Sequence, residues 1–148
     1  TVVVKRAYSK IHMQDFQHLF GEYFAISNTT VNNNLANTVF YIYFKGFIIY
    51  VDNKAAGFAV CFESFSTYQC KKVLNIHDFL ICSQYRGQGL APLLLEDIEY
   101  FCKENGFCKI TLEVKESNQT AQKIYLQFGF KDTNLKTKSL HWQKQLDN

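Results

Sequence analysis

Apolar and polar residues recur along this chain in two rhythms, one of period two and one of period near 3.6, and the switches between them mark its elements. Val2-Val3-Val4-Lys5-Arg6 is β-branched and reads as a strand. From Ser9, a candidate N-cap, Ile11, Phe16, Leu19, Phe20, Tyr23 and Phe24 follow at helical spacing, which predicts a helix to about Ala25. Ser27 to Asn37 is rich in Asn and Thr and reads as a loop, with a short helix inside it as the alternative. Val39 to Phe44 stays ambiguous, although its β-branched and aromatic residues favour a strand. Phe47 to Val51 and Gly57 to Phe62 are strands that the turn Asp52-Asn53-Lys54 joins into a hairpin. After a loop around Ser64 to Lys71, Val73 to Cys82 makes a long strand. Leu90, Leu93, Leu94, Ile98, Phe101 and Cys102 then share one helical stripe, with Pro92 in the first turn and Asn105-Gly106 at the end. Lys109 to Val114 is the next strand. Ser117 or Asn118 caps a short helix that Gly129 stops, and a final hairpin runs through Phe130 and then Ser139 to Trp142.

Strands and helices thus alternate, which predicts one mixed, twisted α/β sheet with helices on both faces. At 148 residues, 47% of them apolar, residues 1–148 read as a single domain with a substantial core. The net charge of +3 is small, and no Lys/Arg run exceeds Lys71-Lys72, so nucleic acid is not an expected partner. Five cysteines, an odd number without a C-x-x-C pair, point to buried thiols in a reducing, cytoplasmic setting. The four histidines form no ligand spacing with them, so no metal is expected. No apolar run approaches the ~20 residues of a membrane span, and Thr1 to Lys5 is not a signal peptide.

Candidate chemistry concentrates where the long strand gives way to a helix. Gln84-Tyr85-Arg86-Gly87-Gln88-Gly89-Leu90-Ala91 brings glycines to a helix start, an arrangement that suits phosphate because unpaired N–H groups and a partial positive charge meet there. It is neither G-x-x-x-x-G-K-[ST] nor G-x-G-x-x-G. The pattern Q-x-x-G-x-G followed by Ala91 resembles the pyrophosphate loop of the GCN5-related N-acetyltransferase (GNAT) superfamily. A second pattern agrees: N-x-x-A-x-x-x-Y-x-x-x-G-F, read as Asn118, Ala121, Tyr125, Gly129 and Phe130, falls about thirty residues further on. The resemblance covers Ala56 to Phe130 well and rests on strand order before that. It implies the GNAT fold, a mostly antiparallel sheet of about six to seven strands, with a second helix near Val39 to Phe44. It also implies acetyl-CoA as co-substrate. Gln84, Arg86, Gly87 and Gln88, with Gly89, Leu90, Ala91 and Pro92, would grip the pyrophosphate, although Arg86 has the alternative of bracing the loop. Phe79, Leu80 and Ile81 would offer backbone hydrogen bonds to the pantetheine arm, and Asn118 and Ala121 would lie along it.

The implied reaction moves an acetyl group directly to a primary amine. An amine of pKa near ~10 is about a thousandth neutral at pH 7, so a positioned base is needed. His77 stands where related enzymes often carry a glutamate, and Glu63 is the other candidate; His77 also reads as an ordinary core or surface histidine. Tyr125 matches the family tyrosine that protonates the departing sulfur or hydrogen-bonds it. Cys82 reads as packing. Asp78, Glu113 and Glu116 are candidates to draw in a cationic acceptor. The expected acceptor is a small-molecule amine, polyamine- or diamine-like or another, with Phe16 to Asn34 as its specificity region. A peptide or protein amine, or a non-catalytic acyl-CoA-binding module, is the alternative. A homodimer through Leu140 and Trp142 is compatible with the family habit.

Overall fold

Five strands, β1 (Val2–Arg6), β2 (Phe44–Val51), β3 (Lys54–Ser66), β4 (Lys71–Ile81) and β5 (Phe107–Leu112), form one sheet in that order. The computed structural model describes residues 1–6, 10–26, 44–133, 140 and 142–146. Strands β1 to β4 are antiparallel neighbours, and β5 joins β4 in parallel. A parallel neighbour requires a crossover, which α2 (Leu90–Glu104) supplies. The mixed, mostly antiparallel α/β sheet expected from the alternation is present. Its strand count among the described residues is five rather than six to seven. Phe130, Leu140 and Trp142 lie in no strand, while Ser139 and His141 fall outside the described residues, as do Ser27 to Tyr43, and Phe44, the last residue of the segment of undecided type, opens β2. Leu140 and Trp142 are exposed, and a strand pair with no buried face is marginal in water.

The β3–β4 hairpin is longer than the pattern suggests. Its strands pair out to Ser66↔Lys71, so the expected loop from Ser64 shrinks to the turn Thr67 to Cys70. The β2–β3 turn is the tight Asp52-Asn53, both with positive φ (49° and 66°), as a primed hairpin turn requires.

Helices cover both faces of the sheet. On one, α1 (Lys10–Ile26) seats Phe16, Leu19 and Phe20 against Ile48, Phe58, Val60, Leu80 and Cys82. Phe58 is the hub: the rings of Phe16, Phe20 and Tyr23 meet it edge-on at centroid separations of 5.8, 5.3 and 5.8 Å. On the other, α2 packs Phe101 against Phe47 at 5.6 Å. The buried stripe of α2 is Leu90, Leu94, Leu95, Ile98, Phe101 and Cys102. Leu95 takes the place expected for Leu93, which is exposed because the stripe's centre runs along Leu94, Ile98 and Phe101. No helix among the described residues is long and apolar enough to cross a membrane.

One close approach holds β3 to β4. A Cβ on Gly57 would stand 2.5 Å from the Leu80 carbonyl oxygen and 2.7 Å from Ile81 Cδ1. Gly57→Ala should therefore push β4 outward, costing ~1–3 kcal/mol as other over-packed cores do, read as a lower midpoint in urea denaturation.

Contacts group the chain into two compact units. Thr1–Lys115 holds the sheet, α1 and α2; Glu116–Asn148 holds the helix α3 (Gln119–Gln127).

Candidate active site

Within the first unit, β4 and β5 stay together only part of the way. Their parallel register ends at Ile76↔Leu112, although β4 continues to Ile81. Just before the parting, Asn75 Nδ2 donates to Thr111 Oγ1 at 3.0 Å, a side-chain stitch across the strands. At the parting β4 bulges: Val60 pairs with Asp78 and Cys61 with Ile76, which leaves His77 as the extra residue. Bulges bend a strand, and they collect near functional sites. Beyond it, the Cys82 N–H donates to the Ala56 carbonyl at 2.8 Å, in register with Ile81↔Gly57. Antiparallel strands alternate the direction of their backbone groups, so Leu80 and Cys82 turn theirs to β3. Phe79 and Ile81 turn theirs to the opposite edge, the side on which β5 has ended. Leu80, expected to offer backbone hydrogen bonds to a ligand, instead has its backbone groups facing β3 and its side chain buried.

The glycine loop starts one residue after β4. Ser83–Tyr85 make a 3-10 turn, and Gly87 and Gly89 follow with φ of 75° and 73°. Gly89 is the N-cap of α2 and makes no side-chain cap bond, and no acidic residue stands in the first turn. The N–H groups of Gly89, Leu90 and Ala91 thus open the helix, while Pro92 has none to leave over. A Cβ on Gly87 or Gly89 would meet nothing within 4 Å, so the space before the helix start is open. These are the features a pyrophosphate needs: several donors, a dipole and close backbone access. Leu90 is buried, so only its N–H can take part. Gln84 and Gln88 are exposed, as is Arg86, whose Nε donates to the Ile81 carbonyl at 3.0 Å. Arg86 therefore braces the loop against the end of β4.

The two base candidates lie on different faces. Phe62 packs with the α1-side cluster, and the His77 ring stands edge-on to it at 5.4 Å. Glu63, one residue further along β3, projects to the α2 side. Both are exposed, and β3 continues three residues past Glu63. His77 is the one at the parting of the strands.

Buried thiols are poor nucleophiles here. Burial, followed by hydrogen bonding to the Glu22 carboxylate, pushes Cys82 up to about 12. Burial raises Cys61 well above the usual thiol range and Cys102 to about 11. All three remain thiols at neutral pH.

In the second unit, the Asn118–Phe130 pattern is largely a helix with two good ends. Asn118 is the N-cap of α3, its Oδ1 accepting from the Ala121 N–H at 3.1 Å; this settles the cap between Ser117 and Asn118. At the other end, the Phe130 N–H donates to the Tyr125 carbonyl and the Gly129 N–H to the Leu126 carbonyl, with Gly129 at φ 100°. That is a Schellman stop, completed by the Tyr125 and Phe130 rings at 5.7 Å. Local structure thus explains Asn118, Gly129, Phe130 and the ring of Tyr125. Burial raises the pKa of the Tyr125 hydroxyl, so it holds its proton through neutral pH.

Sequence reasoning missed two parts of this site. Glu22 reaches the loop from α1, accepting from the Ser83 N–H at 2.8 Å across 61 positions of sequence, and no local pattern announces it. The bulge at His77 shows only in the register of the strands.

Comparison with known proteins bears on the same residues. The family model described as the acetyltransferase (GNAT) family matches residues 7–130. N-acetyltransferase 8B of Mus musculus is 33% identical over 73 residues, 49% of this chain and 32% of that protein, so the match spans about a third of the relative's length. A crystal structure of a probable acetyltransferase superposes with a TM-score of 0.83 at 20% identity, covering 97% of this chain and 99% of that one. An aminoglycoside N-acetyltransferase in complex with CoA superposes at 0.79 and 15% identity, covering 99% and 96%. At these identities the two structures share the fold.

Proposed function

The chain belongs to the acetyltransferase (GNAT) family, and from that premise we propose that it transfers an acetyl group from acetyl-CoA directly to the primary amine of a small molecule. The observation that carries this is the α2 start: an uncapped, glycine-opened helix end beside a strand edge that β5 has left. Gly87 to Ala91 hold the pyrophosphate through backbone N–H groups, with Arg86 bracing the loop. The backbone of Phe79 and Ile81 takes the pantetheine arm. Acetyl-CoA supplies an activated thioester carbonyl when bound.

The chain's own residues then move two protons. His77, the bulge residue at the parting, accepts the proton of the acceptor amine, directly or through one water. Glu63, on the other face, is the weaker candidate. Tyr125 delivers a proton to the departing sulfur, a role that rests on its place in the Asn118–Phe130 motif. On this reading residues 1–148 work as one catalytic domain.

Free-thiol release from acetyl-CoA, measured over polyamines, amino acids, aminoglycosides and peptides, tests the proposal. At least one small amine should support turnover, and His77→Gln should lower kcat/KM for it by ~10²-fold, the lower end for a positioned base. Turnover confined to peptides would move the acceptor to a protein amine. CoA binding without turnover on any amine would leave only a binding module.

A further inference from the structure

Glu22 meets the loop from outside the residues assigned to it. Its Oε1 accepts from the Ser83 N–H at 2.8 Å, and the Cys82 thiol donates to the same carboxylate. The first N–H groups of a helical turn have no partner inside it. Here Cys82, at the cap position of the 3-10 turn, makes no side-chain cap bond. The turn has only two internal backbone bonds, Tyr85 N–H to the Cys82 carbonyl at 2.9 Å and Arg86 N–H to the Ser83 carbonyl at 3.4 Å. A turn so short does not hold itself. What fixes it is tertiary. Leu19 and Phe20, just before Glu22 on α1, pack in one cluster with Cys82, and Tyr85 lies against that cluster. On its other side Arg86 donates to the Ile81 carbonyl.

We propose that Glu22 is a positioning residue for the cofactor loop: its carboxylate caps the Ser83–Tyr85 turn and so aims Gly87, Gly89 and the first N–H groups of α2 at the pyrophosphate. This rests on the acetyltransferase reading. Glu22 touches no reacting atom; it acts through the Ser83 N–H, the Cys82 thiol and the charge of Arg86. The cofactor loop is thereby tied to α1, the helix that runs directly into residues 27–43.

Two substitutions separate the cap from the fold. Glu22→Ala removes the acceptor oxygens, and calorimetry should show CoA binding about tenfold weaker, the effect of losing one good cap. Its melting temperature should stay within about 4 °C of wild type, and amide exchange should quicken at Ser83 while the β2–β3 amides keep their protection. Glu22→Gln keeps an acceptor oxygen for the Ser83 N–H and should bind CoA within about threefold of wild type, the loss expected when a charged acceptor becomes neutral. Wild-type affinity in Glu22→Ala, or equal losses in both variants, would overturn the proposal. If the wild-type chain itself binds no CoA, the acetyltransferase reading falls, and quicker Ser83 exchange in Glu22→Ala would still support the cap.

Discussion

Replacing Tyr125 by phenylalanine should lower kcat about 10³-fold while leaving the affinity for CoA within about twofold of wild type, because a positioned acid contributes ~10²–10⁴-fold to the chemical step alone. The substitution is clean for a structural reason. The ring of Tyr125 is what closes the Schellman stop against Phe130, and phenylalanine keeps that ring. The cap bonds of Asn118 and Gly129 involve backbone and Asn118 atoms and are untouched. Only the hydroxyl leaves. Single-turnover kinetics with saturating acetyl-CoA would measure the chemical step directly. A kcat within threefold of wild type would remove Tyr125 from the chemistry and return it to the helix end. The pH dependence carries a sign as well. Burial raises the tyrosine pKa, so the protonated acid persists past the ordinary tyrosine value of ~10. The alkaline fall in wild-type kcat should lie above that value and should be absent from the residual activity of Tyr125→Phe.

Much of the candidate site is legible from local pattern. Gly87 and Gly89 are glycines where the backbone takes positive φ before a helix, and Asn118, Gly129 and Phe130 are the residues that start and stop the short helix α3. These demands act between residues a few positions apart, so they leave a mark in the sequence. The features that give the site its shape act at long range. That His77 and Glu63 fall on opposite faces follows from one inserted residue in β4, which a period-two pattern of apolar positions absorbs without trace. The bond from Ser83 to Glu22 spans 61 positions. The expected final hairpin shows the opposite error. Leu140 and Trp142 have the apolar look of a strand, yet they are 67% and 88% exposed, and apolarity makes a strand only where a face is buried.

Gly89→Asp should abolish measurable CoA binding while leaving the chain folded, and this combination separates an anion site from a mere helix start. Aspartate is among the best N-cap residues, and its carboxylate can accept from the same N–H groups that open α2. Gly89 is that N-cap, without a side-chain cap bond. Its φ of 73° is left-handed, a region aspartate tolerates better than most residues, and a Cβ there meets nothing within 4 Å. The strain of roughly 1 kcal/mol is thus offset in part by the new cap. The effect on an incoming pyrophosphate has the other sign. The carboxylate occupies the donors and adds a negative charge about 4 Å from where another would sit, a repulsion of about 4 kcal/mol at an effective dielectric of 20, or roughly 10³-fold in affinity. Gly89→Ala supplies the control. It carries the same backbone strain without the charge or the competing oxygens, so it should lose far less affinity. Calorimetric titration with CoA, beside thermal melts of both variants, reads the two effects separately. Unchanged CoA affinity in Gly89→Asp, with the fold intact, would mean that the start of α2 does not hold the pyrophosphate. The acetyltransferase reading of the loop would then lose the observation on which it stands.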